Sequence, residues 1–566
     1  MLLPRLETSP PAGEAVAAGD EARSGAGWLL GHLEGASPAC QTLATAAAIL
    51  VLRHLCFDPA DAHWADRDRI VVSPGLQPLG ALIAASAGVR PEFALAADPG
   101  GECLGAAVGL AMAERSLAAR FGRSLVDHRT WVLASEEDLV GGHAQEAAAA
   151  AAALRLGRLT VLAGFPESAP FPAAFASHWT VRRAAADDEA ALHAAMSAAM
   201  RSHKPTLIAC IGRPSSAGLG APRPAVTAAI GGRGTGVRRA WLRRLARHTA
   251  REEFERTMAA RLPPGWHGVF SEPWPWLPAG QAEIAPRAAC RQALTRLSNL
   301  VPELACLPAD QTGGTASFPW QNHVQALACA LVGMAGHGGV LPIGQMALSS
   351  TAHLGTALRA AAQGGLRTVY LVAEPATPCP TAGHRAALRA MRNVFVFRPA
   401  DVSETLECAE LALRRVHGPS VLLLSEVPCA PLADRPTRTR CVRGGFLLRT
   451  PVKRRDVTLI ASGSELALAL ATHDCLAKRG IVSAVVSLPC WELFANQEQE
   501  WRDEVLGEAP RVGIESGSGF GWERWLGAGG VFVGTGGDDE CEAVTAERIV
   551  AAVHALVGAR EGRKAF

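Results

Sequence analysis

The chain has no excess of charge of either sign: 55 basic residues stand against 53 acidic ones. That balance removes any global electrostatic reason to expect nucleic acid or an anionic membrane as a partner. Paired cysteine motifs are also missing. Fourteen cysteines occur without a CxxC pair. Cys40, Cys56, Cys103, Cys210, Cys290, Cys306 and Cys329 mostly lie in apolar stretches, as small buried hydrophobes of a reducing compartment do. The amino terminus lacks the basic and apolar regions of a secretory leader. Ala-rich runs such as 144–154 are broken by charge too soon to span a bilayer. A cytoplasmic protein is expected. Ready-made catalytic signatures are absent too, with no Walker A loop, no GxSxG elbow and no HExxH helix.

What is present is alternation. At 566 residues, three or so domains are expected. Residues 1–25, rich in Pro, Gly, Ala and Glu, read as a loose arm. From Trp28 to about Arg213, helical patterns alternate with apolar strands at Arg69–Ser73, Trp131–Ala134, Leu159–Ala163 and Thr206–Cys210. That is the pattern of a doubly wound parallel sheet. Residues 214–235 read as a linker, and Gly231-Gly232-Arg233-Gly234-Thr235-Gly236 within it as flexible chain, because no clear strand precedes it. A charged helix is expected over Val237–Ala260, stopped by Leu262-Pro263-Pro264. A second alternation runs from about Glu283 to Ala430, with strands at Thr368–Ala373, Val394–Arg398 and Val421–Ser425. A third begins near Gly445, with strands at Val457–Ala461, Ser483–Ser487 and Arg511–Ile514.

The stretch 127–146 carries the most chemical information. Its strand ends in the turn Ser135-Glu136-Glu137, and an Ala-rich helix is expected over Ala144–Leu156. Such a turn can present a ligand site at the carboxyl end of a parallel strand. Three adjacent acids, Glu136, Glu137 and Asp138, read as a solvated acidic turn near a helix amino terminus. The competing reading is a relocated metal site, but acids without a second partner would repel an anionic ligand.

Several segments resemble the transketolase family. They include Trp64-Ala65-Asp66-Arg67-Asp68-Arg69, Gly109-Leu110-Ala111-Met112-Ala113-Glu114-Arg115 and Lys204-Pro205-Thr206-Leu207-Ile208-Ala209-Cys210. Further along come Phe397-Arg398-Pro399-Ala400-Asp401, Gly463-Ser464-Glu465, Trp491-Glu492-Leu493-Phe494 and Gly521-Trp522-Glu523-Arg524-Trp525. Each is weak alone; their order and spread make the resemblance specific for the scaffold. It implies an α/β fold of three doubly wound domains as in transketolase. Two are of the thiamine diphosphate-binding type, pyrophosphate-type over 26–213 and pyrimidine-type over 283–430. A linker and helix over 214–282 separates them, and a transketolase C-terminal-type domain follows over 445–566. Fold does not imply function.

The resemblance also implies which positions carried the family's chemistry. Its Gly-Asp-Gly turn is Ser135-Glu136-Glu137, so Glu136 stands at the metal-binding aspartate, and Pro166 replaces the metal-binding asparagine. The glutamate that drives the aminopyrimidine tautomer is replaced by Asn322, which cannot exchange a proton at neutral pH. The ring's aromatic seat falls on Ala347, Ser350 and His353. Family histidines that handle sugar hydroxyls and protons align with Ala36, Leu76 and Cys379. Of two phosphate-binding arginines, Arg287 matches one and Glu426 reverses the other. Asp310 is the one polar residue kept near the presumed cofactor position.

The expectation is a catalytically inactive transketolase-like protein that retains neither the ancestral thiamine diphosphate nor magnesium. It would form a homodimer or a heterodimer with an active transketolase paralogue, without nucleic acid or membrane. The alternative is an active enzyme with a rebuilt site, moving a two-carbon ketol unit between sugar phosphates. A new metal site from His323, His337, His353 and His384 is conceivable, but scattered histidines are more often surface or satisfied core residues.

Overall fold

The structure is a computed structural model that describes residues 37–87, 102–167, 172–176, 178–212, 225–271, 283–309, 320, 323–375, 382–432, 440–451, 454–535 and 543–564. Two compact units are present: residues 1–260 with 325–340, and residues 261–324 with 341–566.

The first unit holds a five-stranded parallel sheet of β1 (Arg69–Val72), β2 (Thr130–Ser135), β3 (Leu159–Phe165), β4 (Thr180–Ala185) and β5 (Thr206–Ile211), ordered β1-β2-β3-β5-β4. β3 is buried along its whole length, as a strand covered on both faces must be. β4 was not expected from the sequence. It is the edge strand, and its exposed Arg182 and Arg183 break the apolar run while discouraging edge pairing.

Helix α1 (Pro38–Ile49) starts at Ser37, whose hydroxyl accepts from the Cys40 N–H. Helix α2 (Glu102–Phe121) crosses a second helix very closely. A Cβ on Gly109 would lie 1.9 Å from the Ala330 carbonyl oxygen, and one on Gly333 would lie 2.0 Å from that of Ala106. Only glycine permits backbones this near. The Ala-rich helix α3 spans Gly142–Ala153, starting two residues earlier and ending three earlier than expected.

The expected linker is corrected in part. Ala225–Ala246 is one helix, α4, and Gly231–Gly236 lies inside it. Glycine disfavours helix by about 1 kcal/mol per residue, so tertiary contacts decide here. Arg233 donates to the carbonyls of Leu52 (2.7 Å), Val51 (3.3 Å) and Leu55 (2.6 Å), at the end of the π-helical turn Leu50–His54 that continues α1. Gly234 lets the helix approach the Phe57 carbonyl, which a Cβ would meet at 1.9 Å. The charged helix expected over Val237–Ala260 is also corrected. It is broken at 247–250, and a separate helix occupies Arg251–Met258.

The second unit contains β6 (Leu304–Pro308), β7 (Leu341–Ala347), β8 (Val369–Glu374), β9 (Phe395–Phe397) and β10 (Ser420–Ser425), parallel and ordered β6-β7-β8-β10-β9. Strand by strand, this is the order of the first sheet. β7 was hidden in the sequence by Pro342, which is tolerated because it pairs toward β6 ahead of the first β7–β8 partner, Ile343. Between β6 and β7, helix α5 (Val324–His337) is the helix crossed by α2 and belongs to the first unit from Gln325 onward.

The third sheet comprises β11 (Phe446–Arg449), β12 (Val457–Ala461), β13 (Ser483–Ser487), β14 (Arg511–Ile514) and β15 (Val531–Val533), ordered β11-β13-β12-β14-β15 with β11 antiparallel. It shares the second unit with the second sheet, and buried ions bridge the two. Arg398 reaches Glu374 (3.0 Å), Glu465 (2.6 Å) and Glu515 (3.4 Å), while Arg389 pairs with Glu515 (2.7 Å). Among the described residues, no helix is long and apolar enough to cross a membrane. Cys40, Cys103, Cys210, Cys290 and Cys329 are buried free thiols; Cys56 and Cys306 are half-buried.

Candidate functional site

The carboxyl ends of β1, β2, β3 and β5 open onto one cavity of about 800 Å³, lined among others by Ser37, Gly75, Glu136, Glu137, Pro166 and Glu167. This is where a doubly wound sheet places its ligand. Of the residues lining it that are described, none is Lys, Arg or His, and three are glutamates. Glu167 was not singled out in the sequence, although it directly follows Pro166.

The acidic turn is less uniformly solvated than expected. Glu137 is exposed and Glu136 half-buried, but Asp138 is buried at 2 % exposure. Its Oδ2 accepts from the Ser135 N–H (2.8 Å) and from the Ser135 hydroxyl (2.5 Å). The turn therefore closes on itself: a carboxylate buried at the end of a strand must find donors nearby. Those donors are then spent on the fold.

A magnesium diphosphate does not fit this set. Magnesium needs near-octahedral oxygen ligands, and Pro166 has no side-chain oxygen. Among the described residues, no group of three or more His, Cys, Asp or Glu could hold a metal ion. A diphosphate is held by cations or backbone N–H groups, and among its described residues the cavity offers three carboxylates and no cation.

The other aligned positions are placed as follows. Leu76 is fully buried in the apolar core, in a short 3-10 turn after β1. In the second unit, Ala347 ends β7, and Ser350 and His353 lie in the 3-10 segment Leu348–Leu354 with His353 exposed. Arg287, at the start of the helix Pro286–Leu300, forms an ion pair with Glu426. The reversed charge thus occupies the arginine that would hold a phosphate. Ala36, Asp310, Asn322 and Cys379 lie outside the described residues.

The four histidines do not fall in one unit. His337 is in the first unit, buried against His128. In the second unit, His384 contacts Leu348 and Thr351 through Nδ1. His323 and His353 also lie in the second unit, and among the described residues no group of three or more His, Cys, Asp or Glu could hold a metal ion.

Comparison with known proteins gives consistent matches. A family model described as transketolase, thiamine diphosphate binding domain, matches residues 83–164, and one described as transketolase-like TK C-terminal domain matches residues 444–537. The transketolase of Cereibacter sphaeroides is 33% identical, covering 88% of this chain and 90% of that protein. That of Sinorhizobium medicae (strain WSM419) is 30% identical, covering 88% and 86%. Among solved structures, transketolase from Leishmania mexicana superposes with a TM-score of 0.84 at 24% identity, covering 96% of this chain and 98% of that one. At that identity the superposition speaks for the fold, and the three-sheet architecture agrees.

Proposed function

The chain belongs to the transketolase family, and on that premise we propose that it is a catalytically inactive member acting as a dimeric partner or as a regulatory or structural subunit. The observation that carries this reading is the cavity at the carboxyl end of the first sheet, where Glu136, Glu137 and Glu167 line a site without a cation among its described residues. The ancestral cofactor is an anion, and like charges in a shared site cannot all remain ionised without cost. The Arg287–Glu426 pair supports the reading independently, because a sugar phosphate would have to displace an internal carboxylate.

The partner is a second copy of this chain or an active transketolase paralogue, in the cytoplasm. The other reading, an active transferase with a rebuilt site, is favoured by the names of relatives at 30% and 33% identity. A ketol-transfer assay with xylulose 5-phosphate and ribose 5-phosphate separates the two. No turnover above buffer is expected; turnover would establish the rebuilt enzyme. Native mass spectrometry, alone and mixed with an active transketolase, then distinguishes homodimer from heterodimer.

A further inference from the structure

At the amino end of the first sheet, far along the strands from the cavity, three titratable side chains form a buried row. Asp66 Oδ1 lies 3.1 Å from His128 Nδ1, and His128 Nε2 lies 2.7 Å from His337 Nε2. His337 Nδ1 donates to the Gly338 carbonyl at 2.8 Å. The two rings are stacked, with centroids 4.9 Å apart, and both are nearly inaccessible to solvent. Asp66 and His128 precede β1 and β2, whereas His337 ends α5.

We propose that this row is an acid-sensitive latch, holding the carboxyl-terminal end of α5 on the first unit at neutral pH and releasing it on acidification. Proton counting carries the argument. A bond between His128 Nε2 and His337 Nε2 needs one hydrogen between them. If both rings were imidazolium, two N–H groups would meet head-on at 2.7 Å and two charges would sit buried together. The closed row therefore admits at most one charged ring. Once separated in water, both rings are free to protonate near pH 6.5. Opening takes up protons, so acid favours it.

The surroundings agree in sign. Burial and the cations Arg67, Arg69, Arg123 and Arg158 push His128 well below the ordinary imidazole range, and burial with Arg69, His128 and Arg67 does the same to His337. Asp66, facing Arg69 and Arg244, is pushed up to about 6 by burial. For a base with a lowered folded pKa, stability is present above about pH 6.5 and is lost as pH falls. Three carboxyls titrate nearby with the opposite sign: Asp66 itself, Asp68 raised to about 6, and Glu114, paired with Arg123 and raised to about 7. A variant is therefore needed to isolate the rings.

Hydrogen exchange of the full chain, read by mass spectrometry and corrected for intrinsic rates, tests the latch. In the closed row His337 Nδ1–H donates to Gly338, His128 Nε2–H donates to His337, and one further proton lies between His128 Nδ1 and Asp66 Oδ1. Opening loses that proton and gains two on the rings. The opening constant of amides at the end of α5 in wild type is therefore expected to rise about tenfold per pH unit below about 6.5, one net proton per opening. In His337→Gln the amide keeps a hydrogen-bonding partner for His128 but does not titrate, and that slope is expected to flatten. Equal slopes in the two proteins, or wild-type protection independent of pH from 5 to 7, would overturn the latch. Should H337Q fail to fold, ring nitrogen shifts of labelled histidine in the wild type decide at pH 6. At most one imidazolium between His128 and His337 supports it, and two refute it.

Discussion

The two ends of the first sheet are built from the same kinds of residue and do opposite things with them. At the amino end, Asp68 accepts from the N–H groups of Arg129 (2.7 Å) and Cys56 (3.0 Å) and from the Trp131 indole (3.2 Å). Asp66 accepts from the N–H groups of Asp127 (2.6 Å) and His128 (3.1 Å). These acids tie the segments before β1 and β2 together, so they hold the fold. At the carboxyl end, Glu136, Glu137 and Glu167 face a cavity without a cation among its described residues, and Asp138 is consumed by its own turn. Ligand-holding positions carry little of the folding energy. Substitution at Glu136, Glu137 or Glu167 is therefore expected to disturb the sheet less than substitution at Asp66 or Asp68, whose carboxylates bind several segments together.

That contrast can be broken most forcefully at Asp68. Asp68→Ala orphans three donors, two of them buried, and is expected to cost about 3–5 kcal/mol in denaturant unfolding. A cost below about 1 kcal/mol would deny the amino end its structural role. Next in size is Gly109→Ala, whose methyl must displace the Ala330 carbonyl of α5. A loss of about 1–3 kcal/mol is expected, typical of overpacking, with exchange rising first in α2 and α5. The smallest effect belongs to the cavity. Combined Glu136→Gln, Glu137→Gln and Glu167→Gln is expected to leave stability within about 0.5 kcal/mol of wild type, because no side-chain partner among the described residues is lost. A large destabilisation there would mean that these acids hold the fold after all.

Much of the fold was legible because strand cores are apolar in a way neighbouring segments are not. Val457–Ala461, Ser483–Ser487 and Arg511–Ile514 begin and end in the structure where the sequence placed them. What was hidden depends on contacts made far away in sequence. Gly231–Gly236 is helical because Arg233 and Gly234 meet the segment 51–57. β7 carries a proline that only its register excuses. In the candidate site, Glu136 and Pro166 were readable from the resemblance, and the structure brings them to one cavity. The burial of Asp138 was not readable, since a local acid run looks solvated until its donors are known. Glu167 was missed because nothing in the family pattern points to it. The resemblance put Arg287 and Glu426 at neighbouring phosphate-binding positions, and the ion pair between them is what the structure adds.

The most direct test of the emptied site is isothermal titration of the full chain with thiamine diphosphate and magnesium at neutral pH. No saturable heat up to about 1 mM ligand is expected, a free energy no better than about −4 kcal/mol. Micromolar binding would contradict the inactive reading.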